Sequence, residues 1–235
     1  MADSGNGSFL GPVIALGPEG VEIPPGIVNL ERFRQWCRSD AFPEHGRIDW
    51  VSGRLEVDMS PEDLHTHGTP KSTIGGKLVQ LIQEAEKGFV FIDRGRLSCP
   101  GADVSAEPDV LVLLLGTLES GEARLIPTVD GLADRYIEIE GLADLVVECV
   151  SKWSVKKDTK RLKEAYFKAG VREYWLADAR GAAVQFDVLV RGASGFEPAA
   201  KDADGFAPSS ILGQSVRLTR KRRAAGLTFY TLEVR

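Results

Sequence analysis

The sequence lacks the features of a membrane protein and of a protein held on nucleic acid by bulk charge. Its longest purely apolar run extends only from Val110 to Leu115, whereas a transmembrane helix needs about 20 such residues. The N-terminal segment has no basic residues before its apolar ones, so we expect neither a membrane span nor a secretory signal. The 29 Lys and Arg residues are outnumbered by 34 Asp and Glu, which gives a formal net charge of −5. Any contact with nucleic acid must therefore come from local basic clusters.

Cysteine is scarce. The three cysteines, Cys37, Cys99 and Cys149, are far apart and odd in number. Their spacing matches neither a disulfide framework nor a zinc site. Because unpaired cysteines are typical of a reducing compartment, we expect a cytoplasmic protein.

The composition is that of a folded globular domain. Hydrophobic residues make up 43% and charged residues 27% of 235 residues, a balance that argues against wholesale disorder. Residues 1–26 contain six glycines and four prolines and show little periodicity, so we interpret them as a flexible N-terminal arm. Residues 27–235 show no convincing linker, and we expect them to form one domain.

The first half of that domain predicts two helices and a hairpin. Asn29 can cap a helix that runs to about Ser39. Two strand-like runs flank Ser52-Gly53, a pair typical of a tight turn. Residues 72–87 repeat apolar side chains at helical spacing, and Gly88 is expected to end that helix.

The second half predicts a sheet. Its strand-like segments include FVFI, VLVLLL, YIEI and LVVECV, and the second and last of these are apolar on both faces. This pattern is typical of strands inside a sheet that is covered on both sides. Ser154 is expected to cap a helix over residues 155–169 that Gly170 ends. Residues 144–178 then form a strand–helix–strand unit, which predicts a sheet with parallel or mixed strand pairing. Residues 182–191 and 227–234 are expected to be outer strands.

Two acidic residues lie in unusual places. Asp109 begins an apolar strand, and Glu148 shares a strand face with Val146 and Val150. Buried carboxylates are costly unless a partner, hydrogen bonds or a metal offset the cost. A divalent cation held by both would do so, and would also supply the Lewis acid needed for phosphodiester hydrolysis. Pairing with a Lys or Arg, or exposure at a strand end, is the alternative interpretation.

Three segments of the chain carry a family resemblance: RIDWVSGRLEVDMSPEDLHTHG, AEPDVLVL and DLVVECVSKWSVKKDTKRLKEAYFKAGVREYWLAD. Together, over about residues 45–180, they resemble the Uma-type family of putative restriction endonucleases, a branch of the PD-(D/E)XK nuclease superfamily. The resemblance implies an α/β fold of the α+β mixed-sheet kind. In it, helices flank a restriction-endonuclease-like core with a mixed four- or five-stranded sheet, and a helix and hairpin extend the core at its N-terminal side.

The resemblance also implies an active site. By position, Asp109 is the PD aspartate and Glu148 is the acid of the (D/E)XK element. In such sites the main-chain carbonyl after that acid, here the carbonyl of Cys149, completes the shell of a Mg²⁺ or Mn²⁺ ion. The implied activity is that of a DNA endonuclease, in which a metal-activated water cleaves a phosphodiester and leaves a 5′-phosphate. Cutting two strands further implies a homodimer.

Neither of the two sequence positions at which the family carries a catalytic lysine holds a lysine here. Val150 stands two residues after the acid, and Leu162 stands four residues after Asp158, where the family often has lysine. Lys160 and Lys163 lie on the same predicted helix, and we take Lys163 as the candidate catalytic lysine; a solvated helix face is the alternative for both. The absence favours a second function, a catalytically impaired protein of the same fold that binds nucleic acid or protein.

Further candidates surround these residues. His67 follows MSP, where the family has a histidine, and we expect it at the edge of the site; capping or exposure is the alternative. Asp49 is either a third acid or an exposed hairpin residue. Asp158 suits the first turn of a helix, where the helix dipole favours an acid. The basic run from Arg217 to Arg223 is either a phosphate contact or a solvated turn.

Overall fold

The computed structural model describes residues 14–16 and 21–235 of the chain. Its α-helices are α1 (Leu30–Cys37), α2 (Thr69–Leu78), α3 (Leu115–Glu119) and α4 (Lys163–Lys168). Wider π-helical turns adjoin α2 and α4, at Leu64–Gly68, Val79–Gln83 and Lys157–Leu162. The strands are β1 (Ile14–Leu16), β2 (Val21–Ile23), β3 (Arg47–Val51), β4 (Arg54–Asp58), β5 (Gly88–Ile92), β6 (Leu97–Cys99), β7 (Val104–Ala106), β8 (Val110–Leu114), β9 (Ala123–Pro127), β10 (Tyr136–Gly141), β11 (Leu145–Cys149), β12 (Glu173–Asp178), β13 (Gln185–Arg191), β14 (Phe196–Pro198), β15 (Ala207–Ser209), β16 (Gln214–Arg222) and β17 (Thr228–Val234).

A mixed six-stranded sheet forms the centre of the fold, in the order β14-β13-β12-β11-β8-β5. β11 and β12 pair in parallel, with the intervening helix as the crossover, and the other neighbours in this sheet are antiparallel. The predicted strand–helix–strand unit and the mixed pairing are confirmed. The sheet has six strands, more than the four or five that the resemblance implied.

A second six-stranded sheet lies beside it, in the order β4-β3-β7-β6-β10-β9. The chain passes from this sheet to the central one three times, from β4 to β5, from β7 to β8 and from β10 to β11. Residues 107–109 make the second of these crossings. A three-stranded antiparallel sheet, β15-β16-β17, completes the C-terminal part, and β17 is an edge strand of it, as predicted. The prediction of an outer strand at residues 182–191 is wrong, because β13 lies between β12 and β14 in the central sheet.

The central sheet is covered on both faces, as its apolar strands predicted. Its first face packs on α4 and the second sheet, through residues such as Leu111, Val146, Leu162 and Tyr166. Its second face packs on α2 and the three-stranded sheet. This double cover explains why the strands β8 and β11 are buried almost completely, and why any polar side chain on them needs a partner.

The local predictions hold in part. Asn29 caps α1 by accepting a hydrogen bond from the amide of Arg32, and Ser52 and Gly53 form the β3–β4 turn with positive φ values of 49° and 76°. The second helical segment begins and ends earlier than predicted, at Leu64 and Gln83. It stops before residue 87 because the backbone adopts a left-handed conformation at Glu86, with a φ of 54°. Gly88 is therefore not its end. It is the first residue of β5, where a Cβ would collide with the backbone of β8.

The third predicted helix is capped by a different serine. The Ser151 hydroxyl accepts hydrogen bonds from the amides of Trp153 and Ser154. Ser154, the expected cap, instead donates its hydroxyl to Asp158. Gly170 ends the helix with a φ of 86°, as expected.

The predicted N-terminal arm lies mostly outside the described residues, which omit 1–13 and 17–20. Within it, β1 pairs with β2, and Val21 and Ile23 are buried against α1. The division into residues 1–26 and 27–235 stays a prediction. Within the part of the chain that the structure describes, no helix has the length and apolar character needed to cross a membrane.

Candidate active site

Asp109 and Glu148 face each other across two neighbouring strands. Asp109 ends the crossing between the sheets, directly before β8, and Glu148 lies in β11. Val110 pairs with Val147 in the antiparallel register, so one further step places Asp109 opposite Glu148 on the same face of the sheet. Asp109 Oδ2 also accepts a hydrogen bond of 2.6 Å from the amide of Cys149. The structure thus brings the two predicted acids together.

The two carboxyl groups are almost fully buried, at 0% and 1% exposure, and Arg47 of β3 lies between them. Its Nη2 is 2.7 Å from Asp109 Oδ1, and its Nη1 is 3.8 Å from Glu148 Oε2. Burial would raise the pKa of Asp109, but Arg47 and His67 outweigh it and hold that pKa well below the ordinary value. Burial and the charge of Asp109 raise the pKa of Glu148 well above its ordinary value. The pair therefore favours an ionised Asp109 and a protonated Glu148.

Glu148 has one satisfied and one unsatisfied oxygen. Its Oε1 accepts a hydrogen bond of 3.0 Å from the Tyr166 hydroxyl, whereas Oε2 is buried and has no hydrogen-bond partner among the described residues. A buried polar atom without a partner costs about 1–3 kcal/mol. This orphaned oxygen beside a second carboxylate fits a hard divalent cation such as Mg²⁺ or Mn²⁺.

The possible ligand set is small. The described residues contain no cluster of three or more His, Cys, Asp and Glu side chains arranged to hold a metal. Burial raises the pKa of the Cys149 thiol well above its ordinary value, which keeps the thiol neutral. The donors consistent with the prediction are thus two carboxylates and the main-chain carbonyl of Cys149.

His67 lies against Asp109, one of the two acids. Its Nε2 is 3.2 Å from Asp109 Oδ2, and its Nδ1 is 2.7 Å from Glu62 Oε1. Burial lowers the pKa of His67, but the two carboxylates outweigh this effect and raise it. Lys71, which sequence reasoning missed, pairs with Glu62 at 2.6 Å and with Asp93 at 2.9 Å. These groups form a charged wall beside Asp109.

Asp49 is a buried third acid, so its interpretation as an exposed hairpin residue is wrong. It is 1% exposed and accepts a hydrogen bond of 2.9 Å from the amide of Glu107. Its other oxygen lies 2.9 Å from Nζ of Lys157, which is also buried. Burial lowers the pKa of Lys157, but Asp49 and Glu148 outweigh it and raise that pKa. Lys157 therefore carries a positive charge within electrostatic reach of Glu148.

Lys163 does not take part in this cluster. It is half-buried, and within residues 21–235 its side chain makes no hydrogen bond or ion pair. Lys160 is exposed, and Leu162 points into the core. Lys157 lies on a different face of the helical segment from Lys163, and this face turns toward β3 and β11. Lys157 is thus the lysine of this helical segment that turns toward the acids; its only sequence signal is its place directly before Asp158.

Asp158 lies in the first turn of its helical segment, as predicted, and is buried. Burial raises its pKa to about 6, although Lys157 and the Ser154 hydroxyl lower it. Its Oδ1 has no partner among the described residues. Tyr166 and Tyr174 pack edge to face in the core, with ring centroids 5.6 Å apart.

A cavity of about 470 Å³ opens above the acid pair. Arg47, His67 and Lys71 form part of its wall, and the loop after β11 forms another part. On that loop the Trp153 side chain is 69% exposed, and Lys152 Nζ lies 4.8 Å from the centroid of its ring. Trp153 also borders a smaller cavity of about 240 Å³. A large exposed aromatic ring thus stands between two cavities near the acids.

The basic run at the C-terminal end lies elsewhere, on β16. Arg217 pairs with Glu233 at 2.7 Å, and Arg220 donates to the carbonyl oxygen of Ala179 at 2.9 Å. These two arginines stabilise the C-terminal sheet and its packing, while residues 221–223 are exposed. The run does not line the cavity above the acids.

Comparisons with known proteins identify a family and a similar solved structure. The family model of Uma2, described as a putative restriction endonuclease, matches residues 30–219. A crystal structure of a putative nuclease belonging to DUF820, from Anabaena variabilis ATCC 29413, superposes with a TM-score of 0.48 and 18% sequence identity. The match covers 71% of this chain and 83% of that chain. A search of curated protein sequences finds no match.

Proposed function

The chain belongs to the Uma2 family of putative restriction endonucleases, and from this membership we propose that it is a metal-dependent DNA endonuclease with Asp109 and Glu148 at its active centre. One observation carries the proposal: two buried carboxyl groups face each other on adjacent strands, and one of their oxygens has no hydrogen-bond partner among the described residues. Such an arrangement is costly in a purely structural role and is suited to binding a cation.

Asp109, Glu148 and the carbonyl of Cys149 are the residues that would hold Mg²⁺ or Mn²⁺. When bound, such an ion supplies a Lewis acid that lowers the pKa of water and neutralises charge on a phosphate. The contacts of the chain orient these ligands. The amide of Cys149 and Nε2 of His67 fix one oxygen of Asp109, and the Tyr166 hydroxyl fixes one oxygen of Glu148.

Lys157 supplies the positive charge that is missing because Val150 and Leu162 occupy the two usual lysine positions. Its ion pair with Asp49 holds it beside the acids, and the raised pKa keeps it protonated. A fixed ammonium group at this place stabilises the negative charge that develops on the phosphate during hydrolysis. Asp49 acts through Lys157 as a positioning residue.

The cavity above the acids is the proposed DNA-binding surface. Lys152 and Arg94 offer cations to phosphates, and the exposed indole of Trp153 offers a surface on which a base can stack. Cleavage of both strands would require two copies of the chain, so a homodimer is part of the proposal, as is a cytoplasmic location.

Conversion of supercoiled plasmid in the presence of Mg²⁺ or Mn²⁺ tests this proposal. We expect the wild type to produce nicked or linear DNA with 5′-phosphate ends, and Asp109→Asn and Glu148→Gln to lose this activity. Asp187→Asn is a matched control, because Asp187 pairs with Lys201 at the surface of β13. If the two active-site variants cut as well as the wild type, the site assignment is wrong.

A second candidate function is DNA binding without cleavage. Arg47 already places a cation of the chain between the two acids, and both usual lysine slots hold apolar residues. A wild-type protein that retards DNA in a gel but never cuts it with either metal would support this candidate over the nuclease.

A further inference from the structure

Arg47 occupies the space that a cation bound by both acids would need. Its guanidinium lies 2.7 Å from Asp109 and 3.8 Å from Glu148. With a side chain 22% exposed, it is far more accessible than either acid, and it lines the cavity where DNA would bind. Arg47 therefore faces the acids on one side and the substrate cavity on the other.

We infer that Arg47 is an internal competitor of the metal ion, which a substrate phosphate draws away from the acids. This inference rests on the proposed function and adds a form of regulation to it. In the free protein, Arg47 occupies the acid pair and weakens metal binding. In the complex with DNA, Arg47 binds a phosphate, and the two carboxylates become available to the metal.

Electrostatics require this competition. A guanidinium always carries its charge, and two cations within a few ångströms of each other in a buried site repel strongly. Asp109 Oδ1 is the acceptor for Arg47, while Oδ2 is occupied by Cys149 and His67. A metal ion can bind Asp109 at Oδ1 only if Arg47 leaves that oxygen.

The structure also provides a route for the arginine to leave. Nη2 of Arg47 lies 3.6 Å from Asp93 Oδ1, and Asp93 is 45% exposed on the wall of the cavity. A shift toward the cavity would exchange the buried Asp109 for the accessible Asp93. A phosphate there attracts Arg47 further, because a guanidinium binds phosphate oxygens through two parallel hydrogen bonds.

The two binding events should then be coupled. If DNA raises the affinity for metal, metal must raise the affinity for DNA by the same factor, because linkage is reciprocal. Coupling of this kind commonly changes affinity by about 5- to 150-fold. The protein would thus bind metal tightly only when a substrate is present.

Calorimetric titration with Mn²⁺ tests the inference in four samples: wild type and Arg47→Gln, each alone and with a phosphorothioate-linked DNA duplex that resists cleavage. We expect Arg47→Gln alone to bind Mn²⁺ about tenfold or more tightly than the wild type. We expect the duplex to raise the Mn²⁺ affinity of the wild type by a similar factor and to leave the variant unchanged. An unchanged or weaker Mn²⁺ affinity in Arg47→Gln would overturn the inference.

Two further variants keep the outcome clear. Arg135→Gln removes a positive charge from the surface outside the cavity, where Arg135 pairs with Asp130 at 3.0 Å; its Mn²⁺ affinity should equal that of the wild type. If Arg47→Gln does not fold, Arg47→Lys serves instead. It keeps the charge but lacks the planar, forked guanidinium that reaches both acids, and it should bind Mn²⁺ more tightly than the wild type.

The results separate this inference from the proposed function. Mn²⁺ binding that Arg47→Gln leaves unchanged contradicts the inference alone. Failure of every variant to bind Mn²⁺, with and without DNA, contradicts the metal-dependent nuclease and the inference together.

Discussion

Asp109 Oδ2 accepts a hydrogen bond of 2.6 Å from the backbone amide of Cys149, the residue that follows Glu148. This bond links the end of the crossing between the two sheets to the strand that carries the second acid. The position of Asp109 is therefore set by backbone as well as by side chains. A site fixed in this way is in place before metal or substrate binds, which lowers the cost of organising it.

Glu148→Gln should abolish Mn²⁺ binding while leaving the metal-free protein as stable as the wild type or more stable. Burial and Asp109 already favour the protonated form of Glu148, and an amide keeps that neutral form and can accept the Tyr166 hydrogen bond. We expect a gain of roughly 0 to 2 kcal/mol in the free energy of unfolding. Calorimetry and urea unfolding without metal measure the two effects, and a lower melting temperature in the metal-free variant would contradict this picture.

Lys157→Met should reduce DNA cleavage by about 10²- to 10³-fold, because it removes a fixed positive charge next to the acids. Steady-state rates on plasmid measure the effect. Lys163→Met is the matched control on the same helix, and it should cut like the wild type because Lys163 has no contact with the site. Equal losses of cleavage in both variants would contradict a specific catalytic role for Lys157.

The stability of the Lys157 variant needs its own test, since the substitution leaves Asp49 buried without its cation. Losing one partner of a buried pair costs about 3–5 kcal/mol. The double variant Asp49→Asn, Lys157→Met removes both charges and should regain most of this stability while staying inactive. Recovery of cleavage in the double variant would mean that Lys157 has only a structural role.

The acid pair could be predicted because its signals are local. Asp109 and Glu148 each interrupt an apolar strand, and the alternation of a strand fixes the face on which each side chain lies. The family likeness then placed the two strands side by side. Helix caps such as Asn29 and turns such as Ser52-Gly53 were predictable for the same reason, since neighbours along the chain determine them.

The rest of the site depends on contacts between distant elements. Arg47 and Asp49 lie in β3 of the second sheet, and nothing in a single sequence shows that this strand passes over β11. Lys157 meets Asp49 across 108 positions of sequence. A basic helical segment is normally solvated, so the sequence favoured exposed lysines in this helix. Only the packing of the helix against both sheets shows which of its lysines turns inward.

Trp153→Ala should weaken binding to single-stranded DNA by about 1–3 kcal/mol, or roughly 5- to 150-fold, because stacking on an exposed indole contributes that much per base. The melting temperature should not change, as the ring is 69% exposed. Fluorescence anisotropy with a labelled oligonucleotide measures the affinity. Phe229→Ala, a ring 57% exposed on β17 away from the cavity, is the control, and an equal loss in both variants would count against a stacking role.

Asp158→Asn should stabilise the protein above about pH 6 and have little effect near pH 4. The pKa of Asp158 is about 6 in the folded chain, compared with about 3.9 when unfolded. The folded state therefore binds a proton more tightly, and the wild type loses stability as pH rises through this interval. The burial, together with Asp109, opposes the charged form, while Lys157 and Arg47 favour it.

We expect a gain on the order of 2–3 kcal/mol for Asp158→Asn at neutral pH, estimated from the shift in pKa. Urea unfolding of both proteins at several pH values between about 4 and 8 measures the difference. A difference that stays constant across this range would show that Asp158 does not titrate with a raised pKa.

A crystal structure of the protein with Mn²⁺ and a cleavage-resistant DNA duplex tests the central claim most directly. Anomalous scattering from manganese locates the ion independently of any assumption about its ligands. We predict a peak within coordination distance of both Asp109 and Glu148, with Arg47 displaced toward a phosphate. A manganese peak elsewhere, or no peak while Arg47 still bridges the two acids, would contradict the account.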